Sequence, residues 1–303
     1  MNKLTVPVAT ELKRSYRHRN YALFVQFYKY LVAKNMAPTT ISGYKHTVSD
    51  YIEFIRGEDV TTLSHLPLRA YFIARHRRGV SYQTIHRDLA ALTSFFEFLR
   101  REGLIAVNPV HRIRKPKLTR KLISPPSEKQ VDRLLNYASK LKHRTAARDY
   151  AIMELFYASA IRCAELCKIH VGDINFPDGS ILIWGKGKRQ RLAYFGKKAE
   201  KAMNDYLQGR MVGPLFQSMR RYGNRLSERA VRLVVKTICT KAGMPYMHPH
   251  LFRHAFATHM IPKINIRELQ ELMGHQSIRS TMLYIAESPD NLKQVIRKFH
   301  PRG

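Results

Sequence analysis

Residues 247–260 read MHPHLFRHAFATHM and bring His250, Arg253, His254 and His259 within ten residues of one another. His250 and His254 stand at i, i+4, a spacing that suits zinc on a helix. The hydrolytic form of that spacing, H-E-x-x-H, has a glutamate base between the ligands. Here the intervening residues are Leu251, Phe252 and Arg253, and the next carboxylate downstream is Glu268. A guanidinium beside a dication is unfavourable, so the metal reading is set aside. Phosphate chemistry fits better. His250 and Arg253 are three apart and share a side of a helix. Arg offers a planar fork matched to phosphate oxygens, and His exchanges a proton near neutral pH. His254 and His259 are expected to be packed or exposed histidines without a chemical role.

Breaking a phosphodiester needs a nucleophile, a proton donor for the leaving oxygen, and charge compensation in the transition state. Partners for His250 and Arg253 are available elsewhere in the chain. ASAIRCAELCKI offers Arg162 at the start of a helix, with Glu165 as its expected ion-pair partner. WGKGKRQR puts Lys186 on a β-turn, and ELMGHQSIRSTMLYIAES supplies His275 and Tyr284. Singly, each is an ordinary residue; the chain has 16 tyrosines, so no one of them stands out by type.

The elements that must position these groups read as follows. Residues 20–56 predict two helices, with stripes Leu23, Phe27, Leu31 and then, after Pro38, Tyr44, Val48, Tyr51, Ile52 and Ile55. A third helix is expected over about 65–77. A fourth follows Gly79, striped by Ile85, Leu89, Leu92, Phe96 and Leu99 and ended by Gly103. These make a small all-α domain over 14–107. Residues 108–126 hold prolines 109, 116, 125 and 126 and six cations between positions 112 and 121, including Arg114, Lys115 and Lys117. Proline keeps such a segment extended, and its charge suits a chain lying along phosphates. From 127 to 303 the pattern is mixed: helices over about 127–140, 143–158 and IRCAELCKI, a small antiparallel sheet in DINFPDGSILIWGKGKRQRLAYF, and then mostly helix. The fold class is mainly α with a small antiparallel β-sheet.

Composition narrows the partner. Lys plus Arg number 53 against 22 Asp plus Glu, a net charge of +31. A compact chain with that charge repels itself unless an anion binds. The cations occur in both halves, so the expected partner is a long polyanion, nucleic acid first. The chain has no long apolar run and no signal-peptide pattern, so neither membrane nor export is indicated. Three sparse cysteines fit a reducing cytoplasmic setting better than a disulfide framework. Cys163 and Cys167 lie one helical turn apart but lack a second ligand pair at zinc spacing, so a buried apolar role is expected.

Order then joins the motifs. An Arg, a Lys on a β-turn, H-x-x-R, G-H and a Tyr, spread over about 120 residues, resemble the tyrosine recombinase family of phage integrases and Xer-type recombinases. TIHRDLAALTSFFEFLRREGLIAVNPVHRIRKPK is similar to the end of that family's core-binding domain and its linker. HPHLFRHAFATHM and LMGHQSIRSTMLYI are close to its C-terminal motifs. The resemblance implies a SAM-like core-binding domain (14–107), a basic linker (108–126) and a catalytic domain (127–303). It also implies a catalytic set of Arg162, Lys186, His250, Arg253, His275 and the nucleophile Tyr284, and a double-stranded DNA recombination site as substrate. A homo-tetramer on DNA, alone or with a second recombinase, and no metal, ATP or other cofactor complete what it implies. Lys45, His46 and Arg87 are expected to face DNA from the helical domain. The helix PDNLKQVIRKF after Tyr284 is expected to dock on a neighbouring protomer. Two departures from the family pattern are Ala160, where a glycine commonly precedes the first arginine, and a glycine-lysine-glycine turn that holds two lysines, Lys186, which the pattern favours, and Lys188 as a substitute. Two other readings remain open on sequence: a type IB topoisomerase or hairpin-telomere resolving enzyme, and a DNA-binding regulator that kept the fold without the chemistry.

Overall fold

The computed structural model describes residues 6–116, 125–185, 190–219, 223–275, 277–278 and 281–282, with side chains from residue 18 onward. The chain divides into two compact units, Met1–Lys121 and Leu122–Gly303.

The first unit is helical. Helix α1 (Val6–Ala33) begins well before the apolar stripe at Leu23, and α2 (Pro38–Phe54) opens on a proline at its first turn, where the missing N–H is no loss. Helix α3 (His65–Arg77) is capped by Ser64, and α4 (Tyr82–Arg101) by Ser81. Each serine oxygen accepts a first-turn N–H that has no helical partner. Gly103 sits at φ +71 just past α4, where the Leu104 N–H returns 3.0 Å to the Leu99 carbonyl. Phe27, Leu31, Val48, Tyr51, Leu92 and Leu99 are wholly buried, and Ile85, Leu89 and Phe96 nearly so, as the predicted stripes require. Each such side chain contributes about 1.5–3 kcal/mol on burial. Val110, in a short 3₁₀ turn (Pro109–Arg112), joins the same core. A polar cluster ties the helices beneath one surface. Thr47 Oγ1 donates to Asp88 Oδ1 at 2.9 Å, and Arg75 pairs with both Asp88 and Asp50.

The second unit starts with α5 (Glu128–Ser139), whose Ser127 and Gln130 form a reciprocal capping box. Helix α6 (Ala146–Ser159) follows and ends at Ala160, left-handed at φ +50. The helix expected in IRCAELCKI is a single turn, α7 (Cys163–Leu166). Arg162 is extended at ψ 152, held there by the Glu165 carboxylate, which accepts its backbone N–H at 2.8 Å. At the other end, the Ile169 carbonyl leaves the helical path to accept the Leu215 N–H.

A three-stranded antiparallel sheet comes next, β1 (Ile174–Asn175), β2 (Ser180–Trp184) and β3 (Gln190–Tyr194), in the order β1-β2-β3. The β2–β3 hairpin is paired out to Trp184 opposite Gln190. Helices α8 (Lys197–Leu207), α9 (Glu228–Lys241), α10 (Pro249–Met260) and α11 (Ile266–Met273) complete the described elements. Ala151, Ile152, Leu155 and Phe156 of α6 are buried at the centre of this core, with Phe252 of α10 stacked on Phe156. Among the described residues no helix is long and apolar enough to cross a membrane.

Candidate active site

Helix α10 starts where the sequence demands it. His248 is extended at its N-cap and Pro249 occupies the first turn. That start fixes Arg253 one turn in, pointing into protein, with only 3% of its surface exposed. Its guanidinium donates through one nitrogen to the Ala160 carbonyl and through the other to the Met273 carbonyl. Those carbonyls end α6 and α11. Each lies two residues before another candidate, Arg162 on one side and His275 on the other. Arg253 thus joins three separate segments at one point.

Arg162 extends from the turn between α6 and α7 with 39% of its side chain exposed, and its guanidinium donates to Glu165 Oε1 at 2.8 Å. Glu165 is the ion-pair partner expected from sequence. Burial alone would raise its carboxyl. The Arg162 backbone N–H and the charges of Arg191 and Arg162 outweigh that, holding it below the usual carboxylate range.

His275 follows Gly274 at the end of α11. Its backbone is pinned twice by Gln270: the His275 N–H reaches the Gln270 carbonyl at 3.1 Å, and Gln270 Nε2 donates to the His275 carbonyl at 3.0 Å. The ring Nδ1 lies 2.9 Å from the Thr281 hydroxyl, which is wholly buried. Burial, followed by the charges of Arg253, Arg162 and Arg191, pushes the imidazole down to about 4. His275 is therefore neutral at physiological pH, and the same three guanidinium groups lie close enough to act on it together. His250 reaches solvent from the first turn of α10. Lost hydration, then His248, Arg253, Arg162 and His254, lower it below the ordinary histidine value. It too is uncharged near pH 7 and free to accept a proton.

The structure thus brings Arg162, His250, Arg253 and His275 into one electrostatic neighbourhood. Lys186 and Tyr284 lie outside the described residues, as do Lys188 and Lys117. His259, expected to be packed or exposed without a chemical role, has its Nδ1 3.0 Å from the Tyr157 hydroxyl and its ring edge-on to that tyrosine; His254 is half-buried. Cys163 and Cys239 are buried and free, and Cys163 Sγ points to the Glu228 carbonyl. Among the described residues no group of three or more His, Cys, Asp or Glu stands together at metal-binding distance.

In the first unit, Lys45, His46, Arg87, Arg114 and Lys115 are all exposed. His46 and Arg87 are the immediate neighbours of the buried Thr47–Asp88 bond, so α2 and α4 are fixed where these two side chains emerge. Arg75 and Asp88, which brace this surface, escaped the sequence reading, as did Arg191. The only signal for Asp88 was a carboxylate on the otherwise apolar side of α4.

Gly274 has two reasons to be glycine. Its φ is +60, and a Cβ there would fall on the Arg191 side chain. Gly274→Ala adds about 1–2 kcal/mol of backbone strain and displaces either Arg191 or the loop carrying His275. Catalysis of any kind through His275 is expected to fall by about 100-fold, since such misplacement costs on that order. A variant with wild-type turnover would show that this loop need not be held where it is.

Comparisons with known proteins identify the family and the fold. The model of the phage integrase family matches residues 127–290, and that of the phage integrase N-terminal SAM-like domain matches residues 24–103. Tyrosine recombinase XerC of Bacillus pumilus is 30% identical over 301 residues, covering 95% of this chain and 98% of the relative. Tyrosine recombinase XerC of Alcanivorax borkumensis is 34% identical over 279 residues, 89% of this chain and 90% of the relative. Among solved structures, the Tn1549 transposon integrase in complex with transposon right end DNA superimposes with a TM-score of 0.74 at 18% identity, covering 91% of this chain and 99% of that one. XerH site-specific recombinase bound to a palindromic difH substrate gives 0.71 at 20%, covering 88% and 82%. The two structures establish the fold, and the family models and XerC relatives establish the lineage. The chain belongs to the phage integrase family, as an Xer-like tyrosine recombinase.

Proposed function

We propose that this chain is a site-specific DNA recombinase that cuts and rejoins duplex DNA by transesterification through a 3′-phosphotyrosyl intermediate. The observation that carries the reading is the convergence of Arg162, Arg253 and two neutral imidazoles on one spot. A DNA-binding regulator has no use for a proton acceptor and a hydrogen-bond donor held uncharged among guanidinium groups. In the proposed reaction the Tyr284 hydroxyl attacks the scissile phosphorus as its proton passes to His250; the reference pKa of tyrosine is about 10, so a base is needed at neutral pH. Arg162 and Arg253 compensate charge on the non-bridging oxygens. In the tautomer whose Nδ1 accepts from the Thr281 hydroxyl, His275 Nε2 carries the N–H and donates to the same oxygens. Lys186 protonates the departing 5′-oxygen. An invading 5′-hydroxyl then reverses the step on a partner strand. Because the phosphotyrosine keeps the bond energy, no ATP is consumed, and because guanidinium groups compensate the charge, no metal is called for. The substrate is a double-stranded recombination site in the cytoplasm, held by a tetramer of the chain, alone or with a second recombinase. Lys45, His46, Arg87 and the basic segment with Arg114, Lys115 and Lys117 contact its phosphates.

The test is recombination itself. A plasmid carrying two copies of the DNA that flanks the coding region should yield a deleted circle. Relaxation of a plasmid that lacks any such site, without deletion, would favour a topoisomerase.

The pH dependence follows from the imidazoles. Both have lowered pKa values in the folded chain, so the unfolded chain takes up protons first as pH falls. Stability contributed this way is whole above about pH 6.5 and falls below it; for His275, whose pKa lies at about 4, the loss continues toward pH 4 and reaches up to about 3 kcal/mol. The cleavage rate should be level from about pH 8 to 6.5 and fall below that, because His250 must be unprotonated to act. A rate that climbs as pH drops from 8 to 6 would remove His250 as base.

A further inference from the structure

We propose that Arg191 is a positioning residue for strand cleavage, setting Arg162 in place through Glu165 and His275 through the Leu272 carbonyl and Gly274. The inference rests on the recombinase reading and adds to it a residue that touches no reacting atom.

The strand that carries Arg191 argues first. Along β2 and β3 the inward face holds Ile181, Ile183 and Ala193, all buried to within 1% of complete. Arg191 is paired in register with Ile183 and interrupts that apolar row with a cation whose side chain is only 16% exposed. An aliphatic residue would serve packing as well or better, since buried ion pairs bring little stability over an apolar replacement. The charge at this position therefore has another use.

Its contacts say what the use is. One terminal nitrogen donates to Glu165 Oε2 at 3.0 Å, while the other carboxylate oxygen holds Arg162 at 2.8 Å. Glu165 thus lies between two guanidinium groups, and its rotamer is set by both. Without Arg191 the carboxylate is free to swing wholly onto Arg162 and draw it away from where a phosphate would sit. The second terminal nitrogen donates to the Leu272 carbonyl at 3.3 Å, within the last turn of α11. A Cβ at Gly274 would fall on the Cδ and Nε of Arg191, so a side chain there would have to displace the arginine. One side chain therefore connects the segments that carry Arg162 and His275, and among the described residues each hydrogen bond it makes beyond its own strand leads to one of these two candidates.

The test compares first-order cleavage by wild type, Arg191→Met, Arg191→Lys, Glu165→Gln and the Glu165→Gln/Arg191→Met double variant. The substrate is a nicked suicide duplex built on the recombination site, with enzyme saturating. DNA affinity and melting temperature are measured on the same preparations. Arg191→Met is expected to cleave about 30-fold more slowly, at DNA affinity within about twofold of wild type. Arg191→Lys should recover part of the rate, because an ammonium can meet Glu165 or the Leu272 carbonyl but not hold both in a fixed fork. If Arg191 acts through Glu165, the double variant should be within about threefold of the slower single variant rather than showing the product of the two losses. A merely structural arginine would instead give losses that multiply or that vanish below the melting transition. Wild-type cleavage by Arg191→Met, or multiplying losses, overturns the proposal. Should Arg191→Met not fold, Arg191→Lys decides: slowed cleavage at unchanged affinity supports the role, and wild-type cleavage removes it. If wild type itself forms no covalent adduct, it is the recombinase reading that fails.

Discussion

Tyr284→Phe is expected to abolish the covalent protein–DNA adduct while leaving DNA affinity within about twofold of wild type. The substitution removes one oxygen and keeps the ring. In the proposed complex the grip on DNA comes from cations spread over both units of a chain whose net charge is +31, and one phenol contributes little to it. The adduct, by contrast, has no second route. Water or a serine attacking in place of the phenol would require its own base, and the neutral imidazoles stand where Arg253 and α11 have put them. Loss of the nucleophile should lower the yield by at least about 10⁴-fold, below detection on a denaturing gel. An adduct persisting in Tyr284→Phe would show that another side chain attacks.

The second large effect is expected at Arg253. Arg253→Lys keeps the charge but loses the fork that reaches the Ala160 and Met273 carbonyls at once. At least one of these buried carbonyls is then left without its donor, at about 1–3 kcal/mol. For a unit of this size that corresponds to a fall in Tm of about 2–12 °C. The chemical loss should be larger. The turn before Arg162 and the end of α11 before His275 are both fastened to this one guanidinium, so three groups move together. A fall in cleavage rate of about 10³-fold is expected, measured below the melting transition. A variant that melts early yet cleaves at the wild-type rate would reduce Arg253 to a structural post.

Much of this is legible in the sequence. The apolar stripes at Leu23–Phe27–Leu31 and Ile85–Leu89–Leu92–Phe96–Leu99 are buried as their spacing implies, because a helix period of 3.6 leaves those residues only one side to cover. Arg162, Arg253, His250 and His275 stood out because their residue types and order are rare in combination. What escaped is what only long-range geometry supplies. Arg191 is one of 53 Lys and Arg residues, and nothing in its neighbours says that its strand face is apolar or that it meets Glu165. Asp88 and Arg75 are bound across helices, a pairing invisible along one chain. The single turn of α7 was overestimated because IRCAELCKI has helical spacing, whereas the backbone is taken over by Glu165 at one end and by the Leu215 N–H at the other. Ala160 was visible as a departure from glycine, but only the structure reveals that it adopts the left-handed conformation glycine favours, and that its carbonyl serves Arg253.

The most direct measurement is the chemical identity of the trapped linkage. Wild-type chain is incubated with a suicide duplex, the complex is digested with protease and nuclease, and the modified peptide is sequenced by mass spectrometry. A peptide carrying a 3′-phosphonucleotide on Tyr284, with a 5′-hydroxyl on the released strand, is the expected product. A linkage on any other residue, or a 5′-phosphate on the attached strand, would contradict the mechanism at its first step.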